Sequence, residues 1–404
     1  MSWEICSIDD IAKVKGGKRL PKGHDLQSEE TNHPYIRARD IGEGKISFDD
    51  PTYLTEETHR HIKNYIVEEG DVVITIVGAN VGDVALIPQQ FSGANLTENA
   101  AKIVLDREKC DPTFLKYQLA NDFTKSRFAH IATGAAQGKL GLYKIKSFEV
   151  RLPFLDVQRS IADMLVAYDD LIENNRRRIQ LLEESARLLY KEWFVHLRFP
   201  GHEHVKIIDG VPEGWACCPI SKLSVYLNRG MSPSYDDEGE FLVINQKCIR
   251  NRLLTLDLAR RQSKEFNQDK AARRGDVLIN STGTGTLGRV AQVWADLDKA
   301  TVDTHVTIVR PNENVPYLWF GYALMNLEAI FEGMGEGATN QKELKRDRVG
   351  ELKILVPPEI LSEQFHELTK HSAEQIHLLV QSNKRLSEGR DILLPRLMNG
   401  ELTV

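Results

Sequence analysis

The sequence predicts an α+β protein built twice over, each copy a β-rich globular domain followed by a long helix, with the two helices packing as an antiparallel coiled coil. Three observations predict it. Four sequence blocks recur in the same order in both halves. Short β-type runs give way in each half to a long helical stretch, in the first half without internal proline or glycine. The apolar positions of those stretches recur at steps of three and four.

The repeat begins at a tryptophan, with Trp3-Glu4-Ile5 in the first half and Trp215 followed by Ile220 and Leu223 in the second. Gly70-Asp71-Val72-Val73-Ile74 then matches Gly275-Asp276-Val277-Leu278-Ile279, and Gly82-Asp83-Val84-Ala85 matches Gly288-Arg289-Val290-Ala291. A Gly-rich stretch ending in glutamine follows, Gly134-Ala135-Ala136-Gln137 and Gly337-Ala338-Thr339-Asn340-Gln341. An extended segment closes each domain at Pro153 and Pro357. The offset drifts from 212 residues (Trp3 to Trp215) to 204 (Pro153 to Pro357), as loop insertions produce.

Strands are expected at residues 71–77, 102–105, 277–280 and 305–309, bounded by Gly, Asn and Asp turns. Beyond Pro153, residues 156–197 carry Leu165, Tyr168, Ile172, Ile179, Leu182, Ala186, Leu189 and Trp193, a heptad seam on a helix about 60 Å long. The second seam runs through Phe365, Ile376, Leu379, Leu386, Leu393 and Leu397, with Pro395 expected to kink or end it. Asn175 and Asn383 interrupt the seams, where a polar residue can fix register or simply face water. Apolar stripes of this length need cover, and each helix is the simplest cover for the other.

With 41% apolar and 27% charged residues in 404, the chain can bury two ordinary cores. No apolar run is long enough to span a membrane, and the N-terminal residues do not read as a signal peptide, so a soluble, cytoplasmic protein is expected. Cys6, Cys110, Cys217, Cys218 and Cys248 have no zinc or redox spacing and are expected reduced. The net charge of −6 does not itself call for nucleic acid, so local patches must carry any such reading.

Catalytic signatures are missing or weak. Gly283-Thr284-Gly285-Thr286-Leu287-Gly288 matches a dinucleotide fingerprint, but a strand rather than a helix is expected next. His59-Arg60-His61 and His202-Glu203-His204 read as exposed loop histidines, so no metal site is expected. Asp347, Glu351 and Lys353 resemble part of a nuclease triad that the first copy lacks. No catalytic, cofactor or metal residue is assigned.

Basic residues do cluster. Lys247, Arg250, Arg252, Arg260, Arg261, Lys264, Lys270, Arg273 and Arg274 lie between Val243 and Gly275 against three acids. Lys13, Lys15, Lys18, Arg19 and Lys22 lie together in the first copy, with Arg37 and Arg39 beyond. A charge cluster is commonly a solvated face, but its recurrence ahead of the Gly-Asp strand favours phosphate contact. The expected DNA-binding set is Lys13, Lys15, Lys18, Arg19, Arg37, Arg39, Asn245, Gln246, Lys247, Arg250, Arg252 and Arg273, with residues 133–137 and 338–341 as a second group. Leu165, Ile172, Ile179, Leu182, Leu189, Ile376, Leu379, Leu386 and Leu393 are the expected packing residues.

These blocks closely resemble the specificity subunit of type I restriction–modification systems over essentially the whole chain. The paired Gly-Asp and Gly…Gln blocks carry the resemblance, with the helix starts at Pro153…Gln158 and Pro357…Glu363-Gln364 and the ending from Leu393 to Leu402. Val157-Gln158 and Trp193-Phe194 depart from the usual pattern. The resemblance implies target-recognition domains at 1–155 and 211–358, spacer helices at 156–197 and 359–399, a linker at 198–210 and a tail at 400–404. It also implies a split, asymmetric double-stranded DNA target and a non-catalytic chain. Modification subunits would bring S-adenosylmethionine and methylate adenine, and restriction subunits would supply ATP- and Mg-dependent translocation and cleavage. A stand-alone methyltransferase or nuclease and a coiled-coil protein adaptor are the competing readings.

Overall fold

The computed structural model describes residues 3–132, 138–297, 299–337 and 342–402. The chain forms two compact units, residues 1–172 with 385–404, and residues 173–384. These bounds cut through both long helices, whereas the serial reading kept each helix as a separate segment. The reason lies in burial: each β-domain shares its core with part of both helices.

In the first unit six strands carry the domain: β1 (Glu4–Ser7), β2 (Ala12–Gly16), β3 (Val72–Thr75), β4 (Val84–Leu86), β5 (Ala100–Leu105) and β6 (Glu149–Leu152). β1 pairs antiparallel with β6, so the start of the domain is sewn to the strand that leads out of it. The rest form an antiparallel sheet in the order β2-β5-β3-β4. β3 is buried on both faces, which is why Val72, Val73 and Ile74 are apolar without alternation. β2, at the edge, alternates buried Ala12 and Val14 with exposed Lys13 and Lys15.

Helices in this unit include α1 (Glu56–Ile62), capped by Thr55, and α2 (Pro112–Ala120). Asp111 caps α2 by accepting the Phe114 N–H, and proline takes the first turn, where its missing N–H costs nothing. The core under the sheet joins Phe114, Leu115 and Phe128 to Ile161 and Leu165 of the first long helix, α3 (Leu155–Tyr190), and to Leu397 and Met398 near the C-terminus.

The second unit repeats the plan with β7 (Ala216–Pro219), β8 (Ser224–Arg229), β9 (Val277–Asn280), β10 (Val290–Gln292), β11 (Val306–Pro311) and β12 (Lys353–Val356). β7 pairs with β12, and the sheet order is β8-β11-β9-β10, the order of the first copy. Helix α4 (Tyr317–Met325) is apolar all round and lies wholly within the core from Leu318 onward, while α5 (Glu328–Gly333) covers one edge. The second long helix is α6 (Glu359–Met398).

Within the second unit, Asn175 of α3 meets Asn383 of α6 and Tyr190 meets Phe365, so the partner number falls as the other rises and the helices are antiparallel. The first unit shows the same sense, with Asp169 against Arg390. Leu165, Ile172, Ile179 and Ile376 are buried; Leu182, Leu189, Leu379, Leu386 and Leu393 are partly covered. No helix among the described residues is long and apolar enough to cross a membrane.

Four local expectations need correction. α3 does not run evenly to Leu197 but widens into a π-type turn at Lys191–Val195, which delivers Trp193 and Phe194 into a cluster with Trp215, Trp319 and Phe365. Pro395 does not end α6, which continues to Met398. Glu401 and Leu402 are not a separate tail, because Leu402 packs on the first unit's core. Gln158 and Gln364 are not equivalent. Gln158 is buried, accepting the Asp111 N–H and donating to the Lys109 and Pro153 carbonyls, whereas Gln364 faces solvent. Counted from the prolines, Ser362 occupies the Gln158 position, and its hydroxyl donates to the Glu359 carbonyl of its own helix.

Candidate nucleic-acid interface

Each domain carries one short turn at the same topological place. Tyr35–Ile36 runs parallel to Asn95–Leu96, and the Phe241–Ile244 strand runs parallel to Ala300–Val302. Each strand then enters a single 3-10 turn, Ala38–Asp40 or Gln246–Cys248. The residue ahead of the turn is Arg37 in one copy and Asn245 in the other. The next-to-last turn residue is Arg39 or Lys247.

Side chains in front of the turns hold the backbone. Arg37 donates from Nε and Nη2 to the Asp40 carboxylate at 3.0 and 2.9 Å, and also reaches the Asp50 carbonyl. This half-buried pairing keeps the Arg37 guanidinium above its usual pKa, chiefly through the Asp40 hydrogen bonds. Asn245 accepts the Lys247 N–H at 2.8 Å and donates to the Leu258 carbonyl at 2.7 Å. Both side chains hold the turn in place, and withdrawing either would leave turn groups unsatisfied. Arg39 and Lys247 point to solvent; Arg39 makes an exposed ion pair with Asp50.

Beside these turns, the loop after each Gly-Asp strand meets the segment that follows the Gly…Gln block. Val77 bridges Lys139 in the first copy, and Thr282 bridges Glu343 in the second. Residues 133–137 and 338–341 themselves lie outside the described residues. In the first copy Thr75 Oγ1 donates to the Ala38 carbonyl; in the second Asn280 Nδ2 donates to the Gln246 carbonyl. Each turn is thus pinned to the end of its Gly-Asp strand. Thr286 Oγ1 further reaches Gln246 Oε1 at 3.5 Å, and Thr282 meets His305 at 2.6 Å. Sequence reasoning missed this convergence and the Thr282–His305 pair, although the ordered recurrence of the blocks was its available signal. Gly283 is followed by β10 and no helix, as expected for a turn.

The remaining basic residues fall into separate groups. Lys13 and Lys15 lie on the edge strand, where lysine also discourages strand addition. Beyond them the chain passes Gly17, and Gly230 in the second copy. A Cβ on either would stand 2.0 Å from a backbone carbonyl oxygen, of Thr97 or Val302. Lys18 then lies over the Tyr65 ring, and Arg19 pairs with Glu98 at 2.8 Å while remaining exposed. Arg250 is exposed, and Arg273 is exposed while donating to the Gln268 carbonyl at 2.9 Å. Lys13, Lys15, Lys247 and Arg250 have no ion-pair partner among the described residues.

Arg252 is engaged within its own domain. Its backbone is left-handed, at φ 62°, and its guanidinium lies 3.7 Å from Glu328, with Glu183 of α3 close by. Arg252, expected in the DNA-binding set, is thus half-buried and engaged with Glu328. Burial raises the pKa of Glu183, opposed by the Tyr322 hydroxyl that donates to it at 2.9 Å.

Scaffold carboxylates account for the Gly-Asp blocks. Asp71 accepts the Glu68 N–H and pairs with Lys102 at 3.0 Å; Asp276 accepts the Arg273 N–H and pairs with Arg310 at 2.7 Å. Burial raises the Asp276 pKa, with Arg310 opposing it. These acids fold the strand start and are too enclosed for chemistry on DNA. Asp347 is exposed and far from forming a buried acidic centre. All five cysteines are free, and burial pushes the thiols of Cys110 and Cys248 up to about 12 and about 11.

A family model for the type I restriction modification DNA specificity domain matches residues 1–184. The MjaIX specificity subunit of a type I restriction enzyme from Methanocaldococcus jannaschii is 23% identical, covering 100% of this chain and 94% of that protein. The HindI specificity subunit from Haemophilus influenzae is 21% identical, covering 83% and 87%. The fold is similar to the crystal structure of the type I S subunit from M. genitalium, at TM-score 0.61 and 18% identity over 98% of this chain and 96% of that one. The repeated blocks, the duplicated domain-and-helix plan and these likenesses agree: residues 1–184 match the type I restriction modification DNA specificity domain, and the chain as a whole is similar to type I specificity subunits.

Proposed function

We propose that the chain is the DNA-reading component of a type I complex and that each β-domain reads one part of a split, asymmetric target. The carrying observation is the duplicated turn that presents Arg39 in one domain and Lys247 in the other beside the loop that follows each Gly-Asp strand. Arginine and lysine donate to guanine edges or to phosphates, so such a turn suits either base reading or positioning. Lys13, Lys15, Lys18, Arg19, Arg250 and Arg273 supply phosphate contacts in this reading, and Gln246 a base contact. The chain contributes the address and not the chemistry, in keeping with the specificity domain that it matches.

In the same proposal, modification subunits dock on α3 and α6, whose outward apolar side chains include Leu171, Leu181, Leu188, Leu368 and Leu378. Those subunits carry S-adenosylmethionine and methylate adenine, and restriction subunits use ATP and Mg. The helix pair sets the gap between the two parts of the target.

Methylome sequencing with and without this gene, in a host with an active modification partner, tests the reading. Loss of one split adenine-methylation motif is expected, and an unchanged pattern refutes it. Exchanging residues 211–357 for the matching segment of a relative is expected to alter one half of the motif. A helical insertion near Ser185 should change the gap and leave both halves intact.

A further inference from the structure

The loop that follows the Lys18–Lys22 basic stretch places His24 against helix α1. There Glu57 and His61, four residues apart, lie on one face. The ligating atoms of His24, Glu57 and His61 all lie within 4.8 Å of one another. The imidazoles of His24 and His61 meet edge to face, with ring centres 5.3 Å apart.

His24 is also aimed. Its Nδ1 lies 2.8 Å from Thr58 Oγ1, and Thr58 is buried in α1 and held in turn by the capping hydroxyl of Thr55 at 2.8 Å. With Nδ1–H donating to Thr58, Nε2 is left as the nitrogen free to ligate. This is how metal-binding histidines are commonly oriented, by a hydrogen bond at the nitrogen that does not ligate. The neighbouring His33 and His59 are differently engaged: they stack on each other, His33 meets Glu56 and His59 meets Asn95.

We propose that His24, Glu57 and His61 bind one divalent transition-metal ion of the zinc or nickel type, tying the basic loop to α1. Ligands on a tetrahedral ion stand about 3.4 Å apart, so closure needs shifts of about an ångström. Glu57 and His61 are exposed and can rotate to make them. Two imidazoles with one carboxylate favour zinc, nickel or cobalt over magnesium or calcium, and three protein ligands leave a position for water. The ion staples Lys18, Arg19 and Lys22 to the domain without taking part in a reaction. The sequence alone hid the site, because His24 is distant in the chain and His61 read as an exposed loop histidine, whereas it lies on α1.

Titration calorimetry of the full chain with zinc, nickel, cobalt and magnesium chlorides tests this, on a Cys217→Ser background that removes the exposed thiol. One equivalent of zinc or nickel is expected to bind and magnesium is not. His24→Ala and His61→Ala should each weaken binding at least about tenfold, while His371→Ala leaves it unchanged. Zinc should also slow tryptic cleavage after Lys22 in the unsubstituted background only. Absence of a stoichiometric transition-metal site, or equal binding by the His24 and His61 variants, overturns the proposal. Glu57→Gln, a surface change, keeps the test valid if a histidine variant misfolds.

Discussion

Asn175 of α3 donates its side-chain amide to Asn383 Oδ1 of α6 across 2.9 Å, so the two polar interruptions of the apolar seams are each other's partner. Of the two roles open to each residue, this pairing favours register over a solvated edge. A matched pair costs little, while a mismatched one leaves a half-buried amide facing a methyl group.

Replacing Asn383 with leucine is therefore expected to lower stability by about 1 kcal/mol. Adding Asn175→Leu should restore it or exceed the original. Denaturant midpoints of the four proteins in the cycle measure the coupling, and additive losses would contradict the pairing.

Glu183 supplies a pH test. Its folded pKa lies above the ordinary 4.5 because it is buried, so the folded chain holds this proton more tightly than the unfolded chain. Its contribution is most favourable below the unfolded value and is lost as pH rises through the folded value. Glu183→Gln keeps an acceptor for the Tyr322 hydroxyl and has no proton to lose. The variant's melting temperature should gain on the parent's as pH climbs from about 4.5 toward neutrality.

Gly17 and Gly230 are expected to be the least tolerant small residues of their domains. Alanine at either meets backbone carbonyls rather than a movable side chain. A loss of at least about 3 kcal/mol, or failure to fold, is expected. Gly23→Ala should cost only about 1 kcal/mol, because its φ of 85° is strained but nothing stands within 4 Å of the new methyl. Thermal unfolding of the three variants orders them.

The turn residues separate binding from folding. Lys247→Ala and Arg39→Ala should leave the melting temperature nearly unchanged. Each should weaken DNA binding by the assembled complex and flatten its salt dependence if its contact is to phosphate, or relax one target position by about 1–3 kcal/mol if it is to a base. Asn245→Ala should do the reverse, lowering stability by about 1–3 kcal/mol through two lost backbone contacts. Fluorescence anisotropy beside calorimetry distinguishes the outcomes.

The sequence by itself determined the duplication, the element types and the buried stripes of the long helices. Those are local properties: a strand such as Val72–Thr75 or a seam through Leu165, Ile172 and Ile179 is written in the spacing of near neighbours. It also marked where cations gather. Only the tertiary structure decided which of the polar side chains around them are already engaged within the fold. Arg37, Asn245 and Arg252 looked like Arg39 and Lys247, yet they are committed to Asp40, to backbone groups and to Glu328. The physical reason is that a polar side chain is assigned by whatever unsatisfied partner folding brings within about 3 Å. Such partners can be far away in the chain: Arg390 closes on Asp169 at 2.6 Å from 221 residues off, and His24 meets Thr58 from 34. Periodicity carries no record of those distances.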